Sequence, residues 1–270
     1  MKTIADWAAL QRVVSSVPRG AAEFTTNLFV TSDQFERWSA AAPLRTIEAN
    51  GAALVLRAER DFHRVFHVAD NPAALSSALV ALPAGTYVSD LIGNGAPLDR
   101  MSETYAAAGF TEETFLRRMS RTQTEGAIVP VDAESAARAT PSEASEVAAL
   151  LERLLDPHVD QLPDAAELAD AAAAGRLLIV GRGDALAGML LYDLKGRLAH
   201  LRFWHVDPEA HGEGIGRRLM AAFLADCAQA ARIVLWVIGT NGRSIAIYRH
   251  YGFVEEALFD RIVILHKDQS

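Results

Sequence analysis

Cysteine is almost absent from this chain of 270 residues. Cys227 stands alone, so no disulfide can form within the chain and no multi-cysteine metal site can be built. The expectation is a protein of a reducing compartment whose chemistry uses no metal. Positive charge is also short: Lys and Arg total 26 against 34 Asp and Glu, a formal net charge of −8 at pH 7. A general nucleic-acid binder needs clustered Lys and Arg for its phosphate contacts, and no such block is present. Long apolar runs are missing too. No window reaches about 18 uninterrupted apolar residues, and the opening MKTIADWAALQRVVSSVPRG lacks the continuous apolar core of a signal peptide. The chain is therefore expected in the cytoplasm, with neither membrane nor nucleic acid as a partner.

What is present is core material. Apolar residues make up 50% of the chain, enough for one large domain or two of ordinary size. From Arg176 on, short runs rich in Val, Ile and Leu alternate with turn signals: RLLIVG, ALAGMLLYDL, RLAHLRFWHV, RIVLWVI and RIVIL read as strands. Between them, Ile215, Leu219, Met220, Phe223, Leu224 and Cys227 mark one face of a helix, and Ile245, Ile247 and Tyr248 a second. Upstream, TPSEASEVAALLERLL begins with a cap and PDAAELADAAAAG ends in the glycine expected just past a helix. The order is strand, two helices, three strands, helix, strand, helix, strand. That is an α/β fold of the α+β type, helices layered on a mixed sheet.

The first half echoes the second. YAAAGFTEETFLRRM from Tyr105 aligns without gaps on YRHYGFVEEALFDRI from Tyr248, sharing the Tyr, the Gly-Phe pair, both glutamates and one arginine. Upstream, LIGNG (91–95) parallels VIGTNG (237–242). This spacing predicts a duplication. The expected domains are 1–122 and 137–270, with the polar stretch 123–136 as linker.

The stretch HVDPEAHGEGIGRRLM (205–220) carries Gly212, Gly214 and Gly216 directly before a helix. Glycine costs about 0.5–1 kcal/mol in ordered backbone relative to alanine, so three together point to positive φ or to a ligand pressed against the main chain. A P-loop would need Lys-Ser or Lys-Thr to follow, and a dinucleotide fingerprint would need a glycine where Arg217 stands. Both are excluded. What remains is Gly-x-Gly at a helix N-terminus after a strand, where open N–H groups and the positive end of the helix dipole suit a pyrophosphate.

These residues resemble the GNAT N-acetyltransferase superfamily. Its Arg/Gln-x-x-Gly-x-Gly/Ala motif stands here as His211-Gly212-Glu213-Gly214-Ile215-Gly216, after a strand ending in Val206 and Pro208. Its second signature, Asn-x-x-Ala-x-x-x-Tyr-x-x-x-Gly-Phe, runs from Asn241 through Tyr248 to Gly252-Phe253, with Ser244 in the alanine place. The resemblance covers roughly 125–270, and 22–122 looks like the degenerate first copy of a tandem member. It implies two tandem acyltransferase-like domains and acetyl-CoA, or another short acyl-CoA, as co-substrate. On this resemblance the Val206 backbone bonds the pantetheine or thioester carbonyl, and the amides of His211, Gly212, Glu213, Gly214, Ile215 and Gly216 hold the pyrophosphate. Arg217 supports them, Asn241 lies beside the pantetheine arm, and the Tyr248 hydroxyl faces the thioester sulfur as general acid.

Two departures stand out. His211 replaces the usual Arg or Gln, and Glu213 brings negative charge to a phosphate loop, so Glu213 is expected to point outward, with Arg217 and Arg218 compensating. The position at which many members carry a catalytic glutamate holds His200. Simple strand alternation puts His200, Arg202, Trp204 and Val206 on one face, leaving either His200 or an ordered water to collect the amine proton. The first copy has VADNPAALSSAL in place of the glycine loop, an ordinary helix start at Asn71 and Pro72. Its Tyr105 then has no thioester to protonate. Asp156, Asp160, Asp164, Glu167 and Asp170 with His158 form either an acidic acceptor wall or solvated helix faces. The leading reading is an N-acetyltransferase acting on a small-molecule amine; acetylation of a protein or peptide and a non-catalytic acyl-CoA sensor are the alternatives. The sequence leaves the oligomeric state open, a homodimer included.

Overall fold

The short β-branched runs and the 3.6-period segments fold as strands and helices in the expected order. A computed structural model describes residues 1–20, 22–122, 136–183 and 185–268. Elements of the first half are β1 (Lys2–Thr3), α1 (Trp7–Ser15), β2 (Thr25–Thr26), α2 (Ser32–Ala41), β3 (Arg45–Ala49), β4 (Ala52–Glu59), β5 (Phe62–Ala69), α3 (Pro72–Val80), β6 (Gly85–Gly93), α4 (Gly95–Ala107) and β7 (Thr111–Thr122). The second half holds β8 (Ala137–Arg138), α5 (Ala144–Leu154), α6 (Ala165–Ala173), β9 (Leu177–Arg182), β10 (Ala185–Lys195), β11 (Leu198–Val206), α7 (Ile215–Asp226), β12 (Arg232–Ile238), α8 (Gly242–His250) and β13 (Val254–Lys267). Among the described residues, no helix is long and apolar enough to cross a membrane.

Two compact units form, and they are cut differently from the expected domains. The first is Met1–Leu116 together with Ala257–Ser270; the second is Arg117–Glu256. The reason is the last strand. Phe259–Lys267 pairs antiparallel with Gly93–Gly85 of β6, so the chain's C-terminal residues complete the first unit. Such a pairing joins residues some 170 positions apart, and no local sequence signal reports it. The expected linker 123–136 lies outside the described residues except for Ala136.

In the first unit, β3, β4 and β5 form an antiparallel meander and β5 runs parallel to β6. Leu75 and Leu79 of α3 and Leu98 and Tyr105 of α4 close its core over Leu54 and Leu91. In the second unit β8, β9, β10 and β11 are antiparallel in sequence, and β11 runs parallel to β12. One face of that sheet packs Leu219, Met220 and Phe223 of α7 and Ile245 of α8 against Leu190, Leu201 and Leu235. The opposite face packs Val147 and Leu151 of α5 and Leu168 of α6 against Met189, Leu191 and Phe203. Ile247 departs from its expected place in the α8 core and is 38% exposed. The nine-residue helix presents Ile245 inward, and Ile247, two residues on, is rotated by about 200°.

The two helix ends that match in sequence also match in geometry. α4 and α8 each finish in a glycine with positive φ, Gly109 (φ 95°) and Gly252 (φ 82°). In each, the N–H of the following phenylalanine donates to the tyrosine carbonyl at 3.1 Å, Phe110 to Tyr105 and Phe253 to Tyr248. These are left-handed caps of one kind made by one sequence pattern.

Gly188 of β10 lets α7 approach the sheet: a Cβ there would lie 2.8 Å from Ile215 Cγ2 and 3.1 Å from the His205 carbonyl. We expect Gly188→Ala to lower unfolding free energy by about 1–3 kcal/mol in urea titrations, because both neighbours are held by core packing.

Candidate active site

The site begins with a fault in β11. Tyr192 pairs with Leu201 while Leu191 pairs with Phe203, so Arg202 has no partner on β10 and forms a bulge. The bulge reverses the strand's facing. Ala199 and Leu201 belong to the α7-side core and Phe203 to the α5/α6 side, after which Trp204 and Val206 return to the α7 side. On its other edge, β11 pairs with β12 only from Leu198↔Arg232 to Leu201↔Leu235, although the two strands run on to Val206 and Ile238. Beyond Leu201 the main chain of β11 is open towards a wedge between the strands. Main-chain groups there need partners if they are shielded from water.

At the end of β11 the chain turns through Pro208–Ala210 into the glycines. Gly212 (φ 89°) and Gly214 (φ 76°) take left-handed conformations that side chains disfavour, and at either position a Cβ would meet nothing within 4 Å. Gly214 is the N-cap of α7, and no side chain caps this helix. The positive end of the helix dipole is thus without a side-chain acceptor. This is a cradle that fits a diphosphate. Glu213, the residue that should oppose one, turns to Arg182, its Oε1 3.2 Å from the guanidinium Nε. His211 is exposed.

The wall opposite is aromatic. Trp204 stands with its ring centroid 5.7 Å from Tyr248 and 5.8 Å from Tyr251. Its Cζ2 would be 3.3 Å from a Cβ on Gly216. Trp204, Val206, Gly216 and Tyr248 are therefore brought together. Tyr248 also packs on Phe253 at 5.8 Å, and burial pushes its phenol above the ordinary tyrosine range. It is a protonated donor at neutral pH. Asn241 is occupied differently: its Oδ1 accepts the Ser244 N–H at 3.0 Å and caps α8.

His200 is the correction. With Arg202 as bulge, His200 lies on the face opposite Trp204 and Val206, directly across from Asp193 on β10. Burial, reinforced by Arg202, holds its imidazole down at about 4. The sequence reading assumed unbroken alternation, and a bulge is a one-residue insertion that changes parity without altering composition. Arg202 pairs with Glu167 of α6 at 2.5 Å, and Arg176 with Asp193 at 2.6 Å. Asp164 caps α6 by accepting the Glu167 N–H at 2.8 Å. Two residues of the supposed acidic wall are thus engaged in holding α6.

The first unit offers a contrast at the same places. Asn71 Oδ1 accepts the Ala74 N–H at 2.9 Å and Pro72 opens α3, so that helix start carries its own cap. Tyr105 is fully buried, its hydroxyl 3.0 Å from His67 Nδ1 and accepting from Ser89 at 3.1 Å. Burial pushes that histidine down to about 3.

The second unit thus combines a strand edge without a ladder partner, a glycine turn at a helix with no side-chain cap and a tyrosine packed on Trp204. Residues 146–253 match the profile of the acetyltransferase (GNAT) family. A curated relative, the mycothiol acetyltransferase of Salinispora arenicola (strain CNS-205), is 35% identical over 89 residues. That match covers 30% of this chain and 29% of the relative. Solved structures share the fold at low identity. A GCN5-related N-acetyltransferase from Sphaerobacter thermophilus matches with TM-score 0.58 at 12% identity, covering 82% of this chain and 78% of its own. A tandem GNAT protein from the clavulanic acid biosynthesis pathway gives 0.55 at 14%, covering 93% and 86%. A GNAT acetyltransferase from Colwellia psychrerythraea gives 0.54 at 13%, covering 99% of each chain.

Burial also depresses His205 to about 4. An unfolded chain protonates such imidazoles near 6.5, so as pH falls the unfolded state binds protons first. The stability these neutral histidines contribute is complete above about 6.5 and is lost as pH drops towards 4. Urea unfolding across that window is expected to show declining stability, and His200→Gln to make the decline shallower.

Proposed function

We propose that the second unit is an N-acetyltransferase that moves the acetyl group of acetyl-CoA, or of another short acyl-CoA, to a primary amine of a small molecule by direct attack in a ternary complex. The observation that carries this reading is the uncapped glycine turn of α7 set beside the wedge where β11 leaves β12. The amides from His211 to Gly216 would hold the diphosphate, with Arg217 in the first turn of α7 adding positive charge. Arg182, by taking the Glu213 carboxylate, relieves the repulsion that charge would exert.

In the reaction the amine nitrogen attacks the thioester carbonyl carbon and the carbon–sulfur bond breaks. Negative charge developing on the carbonyl oxygen would be met by a main-chain N–H of β11 near Val206, where the strand edge is open. The departing thiolate takes the hydroxyl proton of Tyr248, which burial keeps protonated. The amine must also lose a proton. His200, held near 4 and turned to the other face, is a poor acceptor at neutral pH, which favours a water molecule in that role. Asn241 supports the pantetheine side indirectly, by capping the helix that carries Tyr248.

A small acceptor is favoured by the relative named for mycothiol, itself a small molecule. The first unit, with its capped α3 and its enclosed Tyr105, would act as a structural platform rather than a second catalytic centre. The sensor alternative rests on the departures at His211 and Glu213, and the pairing of Glu213 with Arg182 weakens the second of these.

Thermal denaturation with acetyl-CoA tests the foundation: at about 100 times the dissociation constant, stability should rise by about 2.7 kcal/mol, and no shift at millimolar acetyl-CoA overturns the reading. Thiol release over a panel of amines then tests turnover. Tyr248→Phe is expected to keep the thermal shift and to lose about 10²–10⁴-fold in kcat. Full turnover in that variant would remove Tyr248 as the acid, while His200→Ala is expected to retain most of its activity.

A further inference from the structure

Buried tryptophan N–H groups normally find an acceptor, since the indole nitrogen is a donor only. Trp204 is an exception: its Nε1 is shielded from solvent and has no hydrogen-bond partner. The ring is not loose, because Tyr248 and Tyr251 both pack against it, the latter edge-on at 78°. Nor is the donor remote from the cradle. The ring edge nearest a Cβ on Gly216 is Cζ2 and Cε2, at 3.3 and 3.7 Å, and Cε2 is the carbon bonded to Nε1. The orphan donor is therefore one bond from an atom beside the second residue of α7, on a ring that also packs against Tyr248 and on the face of β11 that carries Val206. A buried polar group left unsatisfied in a well-packed place calls for a missing partner.

We propose that the indole N–H of Trp204 is a positioning donor for the acyl donor, bonding a carbonyl oxygen of its pantetheine arm. The inference rests on the acyl-CoA reading above. An arm that starts at a diphosphate held by the glycine turn and ends with its thioester at Tyr248 must cross the ground between Gly216 and Tyr248. The indole edge lies on that ground. The pantetheine arm carries two amide carbonyls and no charge, which suits a neutral donor in a shielded place. The same position explains Gly216: any side chain there would press on the indole edge and displace its N–H.

The experiment is calorimetric titration of coenzyme A and of 3′-phosphoadenosine 5′-diphosphate, which keeps the diphosphate and lacks the arm, into the wild-type chain and Trp204→Phe. The phenylalanine keeps an aromatic ring and removes the N–H. We expect coenzyme A to bind about five- to tenfold more weakly, with the armless nucleotide unchanged. Replacement of the residue by 3-benzothienylalanine, which exchanges N–H for sulfur in a ring of the same shape, should reproduce that loss without a packing defect. Unchanged coenzyme A affinity in the benzothienyl variant overturns the proposal. So does equal weakening of both ligands, which would make Trp204 a packing residue of the turn. A wild-type chain that binds neither ligand would instead sink the acyl-CoA reading itself, and is thereby distinguished from failure of the Trp204 inference alone.

Discussion

The parallel ladder between β11 and β12 runs for four residue pairs and then stops, and the site proposed for the second unit depends on that stop. A strand left unpaired on one edge inside a sheet exposes main-chain donors and acceptors that a ligand with its own amides can satisfy. The Arg202 bulge adds to this by turning Trp204 and Val206 towards α7 and leaving Phe203 to bind α5 and α6. The two halves of β11 thereby serve different helix layers. Gly188 and Gly216 then let α7 approach this strand closely, which sets the glycine turn at the mouth of the wedge.

The two units differ at few of the places that bear on the proposed site. Both units end a helix with tyrosine, a left-handed glycine and phenylalanine, with matching hydrogen bonds. At the other critical place they part. Gly214 leaves the start of α7 uncapped, whereas Asn71 closes the start of α3. Tyr105 is correspondingly sealed among His67 and Ser89, while Tyr248 stays half-buried beside Trp204. A side-chain cap takes up an amide that an anion would otherwise use.

Much of this was legible along the chain because it rests on local chemistry. Positive φ at Gly212, Gly214, Gly109 and Gly252 follows from glycine itself, and the cores of α5, α6 and α7 follow from the spacing of their apolar residues. The reading failed where one residue changed parity or a distant partner intervened. His200 was assigned to the face of Val206 because a bulge has no compositional mark. Arg182, the partner of Glu213, lies 31 positions upstream, and exposed ion pairs of that kind leave no pattern. Ile247 looked like core because an apolar residue on a short helix is ambiguous until its neighbours are known.

Sequence alone determined the order of elements in the second half, the match between the stretches from Tyr105 and Tyr248, the family to which the motifs at 211–216 and 241–253 are similar, and the absence of a disulfide within these 270 residues, since each depends on residues close together or on residue types in short supply. Tertiary structure decided the rest. It alone assigned the last strand to the first unit through its pairing with β6, ended the β11–β12 ladder at Leu201, and put the indole of Trp204 against Gly216. Those outcomes depend on which distant main-chain groups find one another and on packing between side chains far apart along the chain, and such contacts exist only once the sheet has formed.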